Sequence, residues 1–300
     1  MKKNKTMIVA FITPAILTFC IMFLYPVIRT VFISFYSVSS VTAPKEQWIS
    51  VGLGNYLKLL TSSSFKVSMM NIFKIWVVGG AIVLTISLLF AVILTSGVRF
   101  KSFWRAAIYL PNVISAVALA TMWLQFVFQQ KYGIINWFFK AMGNEKLARL
   151  NWLASDMKFW AMLIAFCFGA VGYYMLIFLS GIERIPEEYY EAATIDGASK
   201  LRQFTSITLP LLKGVFKTNL TFWSINTVMF FVWSKMFSPL GAEGSTITPM
   251  VYMYETVFGG TGYSNRDAGL GAAVGVTLAI IVVIIFAVMN LLIKEEKIEM

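Results

Sequence analysis

The sequence contains no histidine. Imidazole acid–base chemistry, histidine-ligated metals and histidine proton relays are therefore excluded. There are only two cysteines, Cys20 and Cys167, each within an apolar run. They make neither a disulfide framework nor a metal site and read as small core residues. Charge is scarce too. Charged residues make up 13% of the chain, about half of the ~25% carried by a soluble domain. Also missing is any Gly-x4-Gly-Lys-Ser/Thr phosphate loop, so a dependence on ATP has to come from a partner.

What the chain has instead is apolar bulk. Of 300 residues 58% are hydrophobic, with 26 Phe, 16 Met and 9 Trp, and the mean hydropathy is +0.75. Lipid is the solvent for a chain of this composition. The net charge of +11 comes from lysines and arginines that cluster beside apolar runs. Placed there, they report topology and attraction to anionic membrane lipid, and no nucleic-acid partner is implied.

Six runs approach or exceed the ~20 residues that cross a bilayer: Met7–Ile28, Ile75–Leu94, Ala106–Phe128, Phe159–Leu179, Val215–Trp233 and Ala268–Ile293. The first follows Lys2, Lys3 and Lys5, holds Pro14 and Pro26, and is closed by no small-residue cleavage site. It is expected to stay as a membrane helix. The fifth is the weakest, interrupted by Lys217, Asn219 and Asn226, and the sixth is the cleanest. Leu110-Pro111 and Leu209-Pro210 open the third and fifth, where proline in a first helical turn forfeits no hydrogen bond. The expected fold is an all-α integral membrane protein. One transmembrane domain over residues 1–300 carries six transmembrane helices and a cytoplasmic two-helix elbow.

The side on which that elbow lies follows from the short loops. Six spans put both termini on one side of the membrane. The N-terminal lysines, and Arg99, Lys101 and Arg105 between the second and third spans, have no acid among them. Such loops stay in the cytoplasm, so both termini are expected there. Ser37–Lys66, Gln129–Lys158 and Lys235–Asp267 then face outward, and the polar loop 182–213 between spans four and five faces inward.

That loop has its own grammar. Pro186-Glu187-Glu188 starts a helix, with carboxylates at the positive end of its dipole. Gly197 suits a left-handed exit from it, and Ser199 can cap a second short helix. Ala192 and Ala193, bordered by Glu191 and Asp196, give the elbow a small-surfaced face. Such a face can enter a groove on another protein, or simply lie on the membrane as an amphipathic pair of helices.

Within the fifth span Asn219, Trp223, Asn226 and Phe230 recur at helical spacing on one face. Amides in lipid must face protein or water. Interleaved with aromatic rings, they suit a solute whose hydroxyls want hydrogen bonds and whose C–H faces stack. Equally, both amides can bind neighbouring helices. Trp123, Gln125, Tyr173 and Tyr174 are weaker candidates of the same kind. Ala268, Ala272, Gly275 and Ala279 form a small-residue packing stripe in the sixth span. No Asp or Glu lies in spans two to six to carry a proton, which disfavours an ion-coupled transporter. Nor do nucleophile, base and metal ligands converge as in an intramembrane enzyme.

Glu191-Ala-Ala, Asp196-Gly-Ala, Phe204, Ile207 and Leu209-Pro210 resemble the EAA signature of permease subunits of binding-protein-dependent ABC importers. The lead-in Ser180-Gly-Ile-Glu-Arg-Ile-Pro186-Glu-Glu-Tyr-Tyr resembles the carbohydrate branch, that of the maltose transporter's membrane subunits. Tyr25-Pro26 with Ser34-Phe35, Phe103-Trp-Arg-Ala-Ala-Ile-Tyr-Leu-Pro111, Tyr132-Gly-Ile-Ile-Asn136 and Asn151-Trp-Leu extend the likeness over most of the chain. Two departures stand out: Gly214 replaces a common proline, and Pro239-Leu-Gly-Ala-Glu-Gly244 replaces a Gly-Gly-Pro element.

The resemblance implies that Glu191, Ala192, Ala193, Asp196, Gly197 and Ala198 form a coupling helix, seated in a groove of a cytoplasmic ATPase dimer. It implies a transport subunit and not an enzyme, with no cofactor of its own; ATP and Mg belong to the partner ATPase. A second, non-identical permease subunit and an extracytoplasmic solute-binding protein are the other expected partners, in a bacterial cytoplasmic membrane. The solute would be a sugar, oligosaccharide or related polyol, moved by alternating access; a non-sugar solute on the same machinery is the alternative.

Overall fold

The computed structural model describes residues 5–241, 243–260 and 266–293, and these are mostly helical. Lys2 and Lys3, which entered the topology argument, lie outside the described residues. The backbone divides into two compact units, Met1–Lys66 with Tyr252–Ile280 and Val67–Val251 with Ile281–Met300.

In the first unit the helix Val9–Ile33 runs through both of its prolines. A π turn over Cys20–Leu24 precedes Pro26, and a widened turn of this kind tolerates a residue with no N–H to give. Thr30 Oγ1 donates to the Pro26 carbonyl at 2.8 Å. Beyond the helix, strands Tyr36–Ser37 and Ile49–Ser50 pair antiparallel. Buried Asn55 donates to the Ser34 and Tyr36 carbonyls at 2.9 and 2.8 Å.

The last helix, Ala268–Leu292, begins with Asp267 Oδ1 accepting from the Leu270 N–H at 3.0 Å. Its packing face is rotated from the expected stripe. Gly269 lies hard against the Tyr36 carbonyl and Gly271 against Val257, whereas of the expected stripe Ala268 is buried, Ala272 and Gly275 are half-buried and Ala279 is exposed. Spacing identifies a row of small residues but not the direction from which a neighbour arrives.

The second unit is built around the helix Lys158–Ile182. Ala161, Ala165, Gly169 and Gly172 give it a small-residue seam, which lets neighbouring backbones approach closely. Ser87 Oγ donates to the Val171 carbonyl at 2.7 Å, pinning the helix Ser63–Thr95 to it. Ile75, Val83, Met162, Leu163 and Trp223 fill the core between them. In the loop before the central helix, the Trp152 indole donates to Asn136 Oδ1 at 2.7 Å and Asn136 Nδ2 to the Leu150 carbonyl at 3.1 Å. This clasp joins the Tyr132–Asn136 and Asn151–Leu153 segments.

Among the described residues four helices are long and apolar enough to cross a membrane: Val9–Ile33, Ser63–Thr95, Lys158–Ile182 and Ala268–Leu292. The bent pair Lys101–Val113 and Ala116–Val127 makes a fifth if counted as one broken span. Three boundaries depart from the sequence expectation. The second helix starts at Ser63 because the polar run 63–74 is also helical. The third span is no single rod but bends by 97° at Ile114–Ser115. Pro111 therefore lies near the end of a helix and not in the first turn of one. The fifth run is split at Met229–Phe231 into Lys213–Val228 and Val232–Phe237. Its 16-residue first part is about 24 Å long, short of a ~30 Å hydrocarbon core.

Candidate functional site

Backbone breaks at membrane depth leave carbonyls and N–H groups that lipid cannot satisfy, so they occur where protein or a wet cavity surrounds them. The two breaks here border one cavity, of about 480 Å³, set against the middle of the central helix. Its walls are Asn112 and Ile114 from the bend, Tyr173 and Tyr174 from the central helix, and Asn226 and Phe230 beside the second break. Asn226 Nδ2 donates to the Tyr174 hydroxyl at 3.0 Å. Phe166 meets Phe230 edge to face at 4.8 Å. Among the described residues no charged side chain lines the cavity. Its chemistry is aromatic edges and faces with two amides and two phenols, which suits a neutral molecule bearing both hydroxyls and C–H faces.

Two glycines bring the walls together. At Gly172 a Cβ would run into the Ile108 carbonyl, and at Gly169 it would come within 2.9 Å of Leu119 Cδ2. The helix before the bend thus crosses one glycine and the helix after it crosses the other. Asn112 Nδ2 donates to the Gly169 carbonyl at 3.3 Å.

Of the residues singled out from the sequence, Asn226, Phe230, Tyr173 and Tyr174 reach this cavity. Trp223 does not: it is fully buried, and its indole N–H donates to the Trp76 carbonyl at 2.9 Å. Asn219 is fully buried as well, and neither atom of its amide has a hydrogen-bond partner among the described residues. Trp123 stands in a π turn against Phe128 and Phe168, and Gln125 is exposed. Asn112, Phe166, Phe222 and Trp233 line the cavity without having been singled out. The available signal was Pro111-Asn112 in the middle of an apolar run, a proline with an amide beside it.

The polar loop forms an elbow. Helix Glu188–Ile195 ends in a Schellman motif, in which the Gly197 N–H donates to Thr194 O at 3.0 Å and the Ala198 N–H to Ala193 O at 2.8 Å. Gly197 has φ +75°. Ser199 Oγ accepts from the Arg202 N–H and caps Lys200–Gln203. Buried Gln203 donates to Thr194 Oγ1 at 2.9 Å, and the Tyr190 and Thr208 hydroxyls meet at 2.8 Å, so the two arms are fastened to each other. Glu191, Ala192, Asp196 and Gly197 are exposed, while Ala193 and Ala198 are half-buried. At the tip Ile195 is 87% and Leu201 72% exposed, an apolar pair whose exposure helical spacing alone does not reveal.

Comparison with known proteins gives this arrangement a context. The chain is 29% identical over 283 residues to the trehalose/maltose transport system permease protein of Thermococcus litoralis, covering 93% of this chain and 90% of that one. It is 30% identical over 285 residues to the arabinooligosaccharides transport system permease protein of Halalkalibacterium halodurans, covering 91% and 83%. Its fold is that of a chain in a bacterial ABC transporter involved in the import of the acidic polysaccharide alginate, with TM-score 0.80 at 20% identity over 99% of this chain and 98% of that one. A second match, with TM-score 0.79 at 19% identity over 96% and 94%, is to the bacterial alginate ABC transporter in complex with alginate pentasaccharide-bound periplasmic protein. Residues 83–295, from the pinned second helix through the cavity and elbow to the end of the last helix, match one family along their whole length: the chain belongs to the binding-protein-dependent transport system inner membrane components.

Proposed function

We propose that the chain is the membrane-spanning permease subunit of a binding-protein-dependent ABC importer for a sugar, oligosaccharide or related polyol. The observation that carries the solute class is the cavity of about 480 Å³, walled by aromatic rings and amides with no charged side chain among the described residues. Relatives named for maltose, trehalose and arabinooligosaccharides support the same reading. The whole chain acts as one transmembrane permease domain in a bacterial cytoplasmic membrane. It has six spans, the third and fifth crossings being made by the broken segments, and both termini are in the cytoplasm.

The loop 182–213 is the coupling element. Glu191, Ala192, Ala193, Asp196, Gly197 and Ala198 set its surface, and the exposed apolar tip at Ile195 and Leu201 supports insertion into a cytoplasmic ATPase dimer that holds ATP and Mg. A second, non-identical permease subunit completes the path, and an extracytoplasmic binding protein delivers solute. The solute passes Asn226, Phe230 and Tyr173. Trp123 and Trp223 brace the helices around it, and Gln125 and Asn219 stand beside it.

Reconstitution with these partners tests the reading. Solute delivered by the binding protein should stimulate ATP hydrolysis and accumulate in vesicles that have no proton gradient. Stimulation by neutral oligosaccharides and not by amino acids is expected. Uptake that follows the proton gradient and ignores ATP would overturn it.

A further inference from the structure

A second cavity, of about 770 Å³, lies on the elbow side of the first. Its walls include Arg184 and Pro186, where the chain leaves the central helix for the elbow, and Pro210 and Lys213, where it returns. Among the described residues the two cavities share a single lining residue, Tyr173. The Tyr173 ring stands edge-on to Tyr174 at 5.1 Å and 90°, and to Phe222 at 6.2 Å and 80°. Among the described residues no hydrogen bond holds its hydroxyl. Its neighbour Tyr174, by contrast, is buried and bonded to Asn226.

Ring-edge contacts of this kind are individually weak, and side-chain rotamers change on fast timescales. The side chain is thus set between two spaces and held by contacts that a rotamer change can break. Both roots of the elbow are walls of the inner space, so displacement of the elbow changes the shape of the cavity behind Tyr173 before it changes the one in front.

We propose that Tyr173 is the partition of the solute path: its ring closes the outer cavity from the inner one, and movement of the elbow roots releases it. The partition rests on the reading given above, that both cavities lie on the path and the elbow is cytoplasmic. The role belongs to the ring and not to the hydroxyl, so phenylalanine should fill it.

Site-directed labelling of the assembled transporter separates the two claims without knowledge of the solute. With Cys20 and Cys167 replaced by alanine, Thr218→Cys reports on the inner cavity alone and Ile225→Cys on the outer one alone. A membrane-impermeant methanethiosulfonate is added to the cytoplasmic face of inside-out vesicles in the absence of ATP. Thr218→Cys should label readily and Ile225→Cys at least tenfold more slowly. Tyr173→Ala should raise the Ile225→Cys rate at least tenfold, and Tyr173→Phe should leave it slow. The partition is overturned if Ile225→Cys labels as fast as Thr218→Cys with Tyr173 in place, or stays protected in Tyr173→Ala. Labelling of Thr218→Cys only from the opposite face would overturn the orientation itself, and the partition with it.

Discussion

Trp223 donates its indole N–H to the backbone carbonyl of Trp76 at 2.9 Å, while the Trp76 indole donates to Ser224 Oγ, the next residue along, also at 2.9 Å. The two helices exchange indole bonds across a seam where Gly79 and Gly80 leave room for the Trp223 ring. A Cβ on Gly80 would stand 2.7 Å from Trp223 Nε1 and one on Gly79 3.1 Å from its Cζ2. Trp223 is therefore a packing anchor. Trp223→Ala should destabilise by roughly 3–5 kcal/mol, as for a large aromatic removed from a core, and Gly80→Val by roughly 1–3 kcal/mol through overpacking. Thermal unfolding in detergent should fall for both variants. Unchanged unfolding with altered transport would return Trp223 to the solute path.

That pair also marks the limit of what could be read from the sequence. Helical spacing puts Asn219, Trp223, Asn226 and Phe230 on one face, but a face is wide enough to meet two environments. Its Trp223 edge meets Trp76, and its Asn226 edge meets the cavity. Hydropathy located the apolar runs because lipid imposes them on composition. It gave no sign of the 97° bend at Ile114–Ser115, since a broken span is as apolar as a straight one. The cavity needs Asn112, Tyr173 and Asn226 from three distant segments, and no local pattern brings them together. The elbow was the more legible part because its turn depends on residues adjacent in sequence: an acidic start, Gly197 and the Ser199 cap.

The elbow gives two separable expectations. Gly197 has φ +75° with nothing within 4 Å of a built Cβ, so substitution there meets backbone strain and not crowding. Gly197→Ala should cost about 1–2 kcal/mol, and Gly197→Asn less, because asparagine tolerates that region. Ile195→Asp should leave folding intact, since the side chain is 87% exposed, yet cut co-purification of the ATPase at least tenfold. Apolar anchors at an interface centre commonly carry that much. Full retention of the ATPase by Ile195→Asp and Leu201→Asp together would remove the elbow tip from the interface.

The close crossings at the central helix predict a difference between two glycines three residues apart. At Gly172 an added methyl meets backbone, the Ile108 carbonyl and Tyr109 Cα, which can yield only if the whole helix Lys101–Val113 shifts. At Gly169 the first obstacle is Leu119 Cδ2, the far end of a flexible side chain, at 2.9 Å. Gly172→Ala should therefore destabilise by more than the roughly 1–3 kcal/mol typical of overpacking, and Gly169→Ala by less. The bend borders the cavity and the Gly172 crossing sets its position, so transport should fall in Gly172→Ala even in the fraction that folds. Equal thermal stability and equal transport in the two variants would mean that the crossing at Gly172 is looser than the structure has it. The bend would then be free to move without the central helix.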